Sequence, residues 1–350
     1  MERITVIIPN YNGLKFMGPC MSALAKQTCR DFCVLAVDNG SKDGSVEKFR
    51  EWENIAPGGV MFRALYLPEN TGFSGAVNAG LSEVKTEFAV LLNNDTEVYP
   101  EYLEKMLAVM TNPGAEKTAA VSPLMLSLKD PTIIDSAGDG YSLVGWAFQR
   151  GVGQKADVPK FSRQTGIFSA CAGAAMYRKS ALDEVRREDA SGGWWFDPAH
   201  FAYLEDVDVS WRLMLSGYDI VYEPAAKVLH AGSATSGSRY NDFKVRLAAR
   251  NNVWLNVKNQ PVLQLIINLP FLLAGVLVKQ LFFVVRGFGK SYFHGFLEGI
   301  SGIPGMWPKK VRVNRKTLPQ FFRAELFMIT DMFSYLGDLL RRKVFCREKK

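Results

Sequence analysis

The sequence predicts an α/β protein: a mostly parallel sheet flanked by helices, with a hydrophobic and basic helical extension behind it. Three observations predict this. Phe88-Ala89-Val90-Leu91-Leu92 is an uninterrupted apolar run that stops at Asn93-Asn94-Asp95, the pattern of a strand covered on both faces with ligand-binding groups beyond its carboxyl end. Ile4–Ile8, Cys33–Val37 and Met61–Leu67 are further apolar runs closed by turn formers, as expected of buried strands. Finally, residues 309–350 hold 12 Lys and Arg against 4 Asp and Glu, whereas residues 1–308 hold 30 against 31, so the net charge of +7 belongs to the tail. The expected division is a domain at 1–258, with halves at 1–120 and 121–258, and a helical region at 259–350.

Taken in order, the strand Ile4–Ile8 is closed by Pro9-Asn10-Tyr11-Asn12-Gly13, and an apolar-striped helix follows to about Lys26. Cys33–Val37 ends in Asp38-Asn39-Gly40-Ser41. Asp38 either accepts from a nucleobase N–H or serves a turn that caps the helix beginning near Ser45. Met61–Leu67 leads to Asn70-Thr71-Gly72-Phe73-Ser74-Gly75, where the glycines permit close backbone approach and the next helix offers free N–H groups to anionic oxygens. With right-handed crossovers these strand ends converge on one edge of the sheet. Asp95 stands at that edge, either sharing a divalent cation with a diphosphate or supplying a turn. Pro100 opens a helix to about Met110.

Composition excludes some classes. With 48% hydrophobic and 22% charged residues the chain is globular. Basicity confined to the tail argues against binding of nucleic acid by the main body and for an anionic surface, a membrane first. Cys20, Cys29, Cys33, Cys171 and Cys346 lack metal-type spacing and read as reduced thiols of a cytosolic protein. The apolar run after Met1 is too brief for a secretion signal.

Val6-Ile7-Ile8-Pro9-Asn10-Tyr11-Asn12-Gly13, Val37-Asp38-Asn39-Gly40-Ser41, Asn70-Thr71-Gly72-Phe73 and Leu92-Asn93-Asn94-Asp95-Thr96 occur in an order and spacing that resemble family 2 glycosyltransferases of the Rossmann-like GT-A fold, above all the bacterial rhamnosyltransferase-like branch that builds surface polysaccharides. The likeness covers roughly residues 1–258. It implies that Pro9, Tyr11 and Asp38 face a nucleoside, with Asn12, Asn70, Gly72 and Asn78 in the same nucleotide-sugar site. It places Asn94 and Asp95 where the family's Asp-x-Asp element holds the diphosphate through Mg2+ or Mn2+. Asn93 stands where many members have Asp, which leaves Asp95 as the main protein charge on the metal. His230, after the strand-like Ala226–Leu229, matches a His that completes the metal or diphosphate site in several members.

In the second half, Ala119–Pro123 reads as a strand and the glycines of residues 133–153 as hairpins over the sheet edge. The small residues Ser169–Met176 read as a strand whose Gly173 leaves room for the transferred sugar, or as tight strand–helix packing. Trp194-Trp195 lies in an expected loop, with Trp195 either a stacking platform for an acceptor sugar or a core residue. Val207, Trp211 and Met214 recur at helical spacing and Gly217 stops the helix. Glu205-Asp206 at its start either complements the helix dipole or, by the family likeness, supplies the general base, Asp206 first and Glu205 second. A helix N-terminus is expected to lower the pKa of Asp206.

From Val262 to Val278 the chain is apolar apart from Gln264 and Asn268, with Pro270 inside, and Lys279-Gln280 interrupts before Leu281–Val285. An in-plane or re-entrant segment is expected rather than a span. Aromatic residues alternating with lysines and arginines beyond it suit an interfacial helix on anionic lipid, or a greasy face packed on the enzyme or on a second subunit as a homo-oligomer. The function expected from all this is an inverting, metal-dependent glycosyltransferase at the cytoplasmic face of the cell membrane. It would move a sugar, rhamnose by branch likeness, from a nucleotide-diphosphate donor to a lipid-linked saccharide. The competing readings are a sugar nucleotidyltransferase, whose arginine-containing loop after strand one is missing here, and an inactive membrane-bound scaffold of the same fold.

Overall fold

The computed structural model describes residues 2–189, 192–232 and 240–347, with side chains described as far as Leu339. The first half alternates strand and helix: β1 (Ile4–Asn10), α1 (Leu14–Ala25), β2 (Phe32–Asn39), α2 (Ser45–Ile55), β3 (Phe62–Leu67), α3 (Gly72–Ser82), β4 (Phe88–Leu92), β5 (Thr96–Val98) and α4 (Tyr102–Thr111). Next come β6 (Thr118–Ser127), β7 (Ile134–Ser136), β8 (Asp139–Tyr141), β9 (Ala147–Gln149), β10 (Thr165–Gly166), β11 (Ala174–Arg178), α5 (Lys179–Glu184), β12 (Arg187–Asp189), β13 (Gly192–Trp194), α6 (Glu205–Leu215) and β14 (Asp219–His230). The extension holds α7 (Asp242–Asn259), α8 (Val262–Val285), α9 (Gly289–Ser301), α10 (Ile303–Met306) and α11 (Leu318–Arg347).

The main sheet runs β10-β14-β6-β11-β4-β1-β2-β3. Its β4-β1-β2-β3 side is parallel, so the ends of β1, β2 and β4 share one edge. Beyond it β11 runs antiparallel between β4 and β6, which sets the start of β11 beside the end of β4. Every residue of β4 is fully buried, because one apolar cluster covers each face. Ile7, Val37 and Leu91 face α3, while Ile8, Val90 and Leu92 face α1 and α4.

Three sequence expectations change. Ser169–Met176 is a strand only from Ala174; before it, a turn closed by the Ala174 N–H donating to the Cys171 carbonyl (3.2 Å) breaks the ladder. Gly192–Trp194 is not loop but a hairpin strand paired with Arg187–Asp189. In the extension, Lys279-Gln280 does not interrupt the helix. α8 is continuous over 24 residues, about 36 Å at the α-helical rise, and is long and apolar enough to cross a membrane. The Lys279 ammonium lies 5.7 Å from the Trp146 ring, which shelters its charge. The amides that argue against a span face the protein: Asn268 donates to Gln260 (3.0 Å) and Glu325 (3.0 Å), and Gln264 donates to Glu325. The opposite side of α8, with Leu263, Ile266, Ile267, Leu277 and Leu281, is exposed.

Candidate active site

The short strand β5 turns back from β4 and pairs antiparallel with the end of β14, setting His230 opposite Thr96. This register delivers His230 to Asp95: Nε2 lies 3.4 Å from the Asp95 Oδ1, and the Ala231 N–H donates to the Asp95 backbone carbonyl at 3.0 Å. The other ring nitrogen, Nδ1, is 2.8 Å from Oδ2 of Asp135 on β7. Burial opposes charge on His230, but its hydrogen bonds to Asp135 and Asp95 outweigh it and raise its pKa to about 10. In this state both ring nitrogens of His230 carry protons; a divalent cation held by Asp95 and His230 would displace the Nε2 proton, with Nδ1 still bonded to Asp135. Asp135 was missed in the sequence, since only the pairing of β7 with β6 carries it there.

Under the end of β1, Asn10 joins two predicted residues. Its Nδ2 donates to Asp38 Oδ1 (3.2 Å) and Ser41 Oγ (3.2 Å), and its Oδ1 accepts from Asn94 Nδ2 (2.8 Å). Asp38 and Asn94 are thus buried in one network. Pro9 is half-buried above it, and Tyr11 is exposed at the rim. Asn12 sits at φ 51° with Oδ1 accepting from the Lys42 N–H (2.8 Å). The N–H groups at the start of α3 are not free as expected. Asn70 Oδ1 accepts from the Gly72 N–H (2.9 Å), and the Phe201 carbonyl accepts from the Ser74 N–H (3.1 Å). Gly72, at φ 75°, lets that carbonyl approach; a Cβ there would lie 2.4 Å from it.

Two further expectations are corrected. Asn78 spends its amide on the protein: Oδ1 accepts from the Trp195 and Phe196 N–H groups (3.0 Å each) and Nδ2 donates to the Phe196 carbonyl (2.7 Å). Trp195 is only 7% exposed. Its indole N–H donates to Asp183 (2.9 Å), and the cations of Lys179 and Arg186 approach its ring at 4.7 and 5.3 Å, so it offers no platform.

The third group gathers at the start of α6. Asp206 Oδ2 accepts from the Ala172 N–H (3.3 Å) and Oδ1 from the Val207 N–H (2.8 Å). The adjacent Gly173 carbonyl accepts from the Asn93 N–H at 2.8 Å. Residues 172–173 therefore bridge the Asp95 rim to Asp206. Asp139, Cys171 and Asp206 bring their ligand atoms within 4.8 Å of one another. Burial raises the pKa of Asp206, contrary to the expected lowering, because it outweighs the two backbone hydrogen bonds. Burial and the neighbouring Asp206 raise Asp139 and Glu205 well above the usual carboxylate range. Burial and the same carboxylates also raise the Cys171 thiol, which keeps it protonated and a poor ligand. Glu205 is buried, with Oε2 lacking a hydrogen-bond partner.

On the other side of α6 lies an ionic network that sequence reasoning did not find. Lys258 Nζ lies 2.7 Å from Asp197 Oδ2 and 2.9 Å from Asp208 Oδ1, Arg212 Nε lies 3.1 Å from Asp208 Oδ2, and Lys309 from the extension reaches Asp197 (2.9 Å). Lys258, Asp197, Asp208 and Arg212 are buried. Asp208 and Arg212 are four apart on α6, a spacing legible in the sequence, but Lys258, Lys309 and Asp197 join them only on folding.

Residues 5–186, just over half of the chain, match the Glycosyl transferase family 2 model. The chain is 24% identical over 285 residues to the N-acetylglucosaminyl-diphospho-decaprenol L-rhamnosyltransferase of Mycobacterium tuberculosis, covering 72% of this chain and 86% of that one. It is 23% identical over 236 residues to the poly-beta-1,6-N-acetyl-D-glucosamine synthase of Staphylococcus epidermidis, covering 65% of this chain and 49% of the synthase. The match to glycosyltransferase GlyA of Streptococcus pneumoniae is 29% identical and covers 30% of this chain and 14% of the relative. This chain thus spans about half of the synthase and a smaller part of GlyA. Among solved structures, GalNAc-T7 with UDP, GalNAc and Mn2+ superposes with a TM-score of 0.56 at 16% identity, over 73% of this chain and 47% of that one. The mannosyltransferase PcManGT from Pyrobaculum calidifontis, in complex with GDP-Man and Mn2+, gives 0.52 at 14% identity, over 85% and 87%. The fold is GT-A, and the chain belongs to glycosyl transferase family 2.

Proposed function

We propose that the chain is an inverting, metal-dependent glycosyltransferase that moves a sugar from a nucleotide-diphosphate donor to a lipid-linked saccharide at the cytoplasmic face of a membrane. The observation that carries this reading is the approach of His230 to Asp95 at the sheet edge, 3.4 Å apart, with residues 172–173 linking that edge to Asp206. Asp95 and His230 would hold Mg2+ or Mn2+, and Asp135 would fix the ring of His230 by its bond to Nδ1. When bound, such a cation supplies positive charge to a departing diphosphate.

The chain's own residues account for the rest. Asp38, Asn10 and Asn94 form a buried polar floor for a nucleoside, with Tyr11 exposed beside it. Asp206 accepts the proton of the acceptor hydroxyl as the new glycosidic bond forms on the face opposite the leaving group. Its raised pKa makes it a better base than an ordinary surface carboxylate. Support for a lipid-linked acceptor comes from the exposed apolar sides of α8 and α11 and from the Mycobacterium relative, whose name specifies a diphospho-decaprenol acceptor. The same name favours rhamnose as the sugar.

The test is a mass-spectrometric donor screen over dTDP-, UDP- and GDP-sugars with Mn2+, Mg2+ or chelator, paired with Asp95→Ala. Transfer that needs the cation and disappears in the variant is the expected result. Turnover unchanged in chelator and in Asp95→Ala would overturn the metal reading.

A further inference from the structure

Well away from the sheet edge, a cavity of about 220 Å³ lies between the last turn of α6, the start of β12 and the 311–317 crossing that leads into α11; Arg187, Arg212, Ser216, Arg312, Asn314 and Thr317 are among its lining residues. α6 runs from Glu205 to Leu215, so the cavity is about 15 Å along the helix from the candidate base.

Its charges do not balance. Arg212 is buried and committed to Asp208 and to the Val185 and Trp195 carbonyls, so its own charge is already matched. Arg186, also at the cavity, is paired with Glu188 (3.0 Å), and Glu184, the carboxylate that lines the cavity, accepts from the Tyr218 hydroxyl (2.7 Å). Among the described residues neither Arg187, which is half-buried, nor Arg312 has a carboxylate partner. Burial lowers the pKa of Arg187, and the charges of Arg212 and Arg312 lower it further against the pull of Asp208. Arg212 is matched by Asp208, which leaves Arg187 and Arg312 beside it without a carboxylate partner, and an anion between these two would offset their mutual repulsion. Asn314 Oδ1 takes the Lys316 and Thr317 N–H groups (2.9 and 3.0 Å), which fixes the turn carrying Arg312. Directly beyond, Val313, Leu318 and Phe322 are exposed at 52%, 48% and 72%, so the cavity adjoins the start of the apolar face of α11.

We infer that this cavity binds a phosphate group, held by Arg187 and Arg312 beside the Arg212–Asp208 pair: the headgroup phosphate of an anionic lipid, or free phosphate of the same chemistry. Guanidinium groups suit this ligand because their N–H forks match phosphate oxygens. Occupation would tie the catalytic domain to the segment that enters α11.

The experiment uses the full chain, an Arg187→Gln/Arg312→Gln variant, and an Arg315→Gln/Lys316→Gln control that removes the same charge from exposed neighbours outside the cavity. In one arm, inorganic phosphate or pyrophosphate is titrated against melting temperature, with chloride at matched ionic strength. In the other, partitioning onto phosphatidylcholine vesicles with and without phosphatidylglycerol is measured by sedimentation. A melting shift with phosphate that the cavity variant loses and the control keeps identifies a free-phosphate site. No shift with phosphate, but a loss of partitioning in the cavity variant at least about tenfold greater than in the control, identifies a headgroup site, since directed guanidinium–phosphate bonds add to the point-charge attraction both pairs share. Equal behaviour of the two variants in both arms overturns the inference. Should the double variant melt early without ligand, Arg312→Gln alone carries the test, because Arg312 is exposed.

Discussion

The two sides of α6 carry the same residue type in opposite electrostatic states. Toward the sheet edge Asp206 meets Asp139, neither of them in an ion pair among the described residues, and burial lifts both carboxyls. On the far side, Asp208 and Asp197 are just as deeply buried, yet Lys258, Arg212 and Lys309 surround them. Burial is the largest influence on both, but the cations win, and both aspartates stay well below the usual carboxylate range. Less than one turn of one helix thus separates Asp206, left unmatched, from Asp208, matched for stability. An unmatched buried acid is a cost to folding, and it is the kind of group that chemistry exploits.

The comparison breaks most visibly at Asp206. Asp206→Asn is expected to lower transfer about 100- to 10 000-fold, the range of a lost general base, while donor binding measured by calorimetry stays near the wild-type value. Its stability cost should be no more than about 1 kcal/mol, for one disturbed backbone hydrogen bond. A variant that unfolds while a refolded fraction keeps wild-type turnover would move Asp206 to the structural side.

Lys258→Met tests the other side. Removing one partner from a buried ion pair leaves uncompensated charge on Asp197 and Asp208, a loss of about 3–5 kcal/mol in urea unfolding. Transfer per folded molecule should change little. A small stability change would show that Lys309 and Arg212 can carry both aspartates without it.

Asp135→Asn sharpens the division within the site itself. Asp135 touches only the His230 ring in this network, so its loss should weaken Mn2+ binding about 10- to 100-fold, as for other residues that orient a ligand, with little change in melting temperature. Calorimetric titration with Mn2+ reads this without any turnover. Unaltered affinity would remove Asp135 from the site.

What could be read from the chain follows from how local each feature is. The β1, β2 and β4 runs and their polar ends were legible because a strand buried on both faces writes itself as consecutive apolar residues. Asp38, Asn94, Asp95 and Asp206 sit at such ends or at a helix start. Asn78 and Trp195 misled because their partners are not written beside them: the Asn78 amide holds the backbone of Trp195 and Phe196 more than a hundred positions on, and the Trp195 indole donates to Asp183. Asp135 and Lys258 were silent for the same reason. In α8 the amides and lysine that break the apolar pattern meet Glu325, Gln260 and Trp146, partners that the chain does not write beside them.

The smallest expected effect concerns His200, which is fully buried beside the matched network with neither ring nitrogen hydrogen-bonded. Burial lowers its pKa to about 4, and the charge of Lys258 reinforces this. The folded protein therefore holds His200 neutral at a pH where the unfolded chain, with an ordinary value near 6.5, takes up a proton. Stability from this residue is complete above pH 6.5 and is lost as pH falls toward 4, on the order of 3 kcal/mol in all. His200→Leu keeps the apolar packing against Trp254 and removes the titration, so its urea-unfolding free energy should match the wild type within about 1 kcal/mol at pH 7.5 and exceed it at pH 4.5. Asp197 and Asp208, whose values lie lower still, titrate below this window and do not mask the difference. A wild type and variant that lose stability in parallel between these two pH values would show that His200 is already protonated in the folded state, paired with the aspartates beside it, and would place a fourth cation on the matched side of α6.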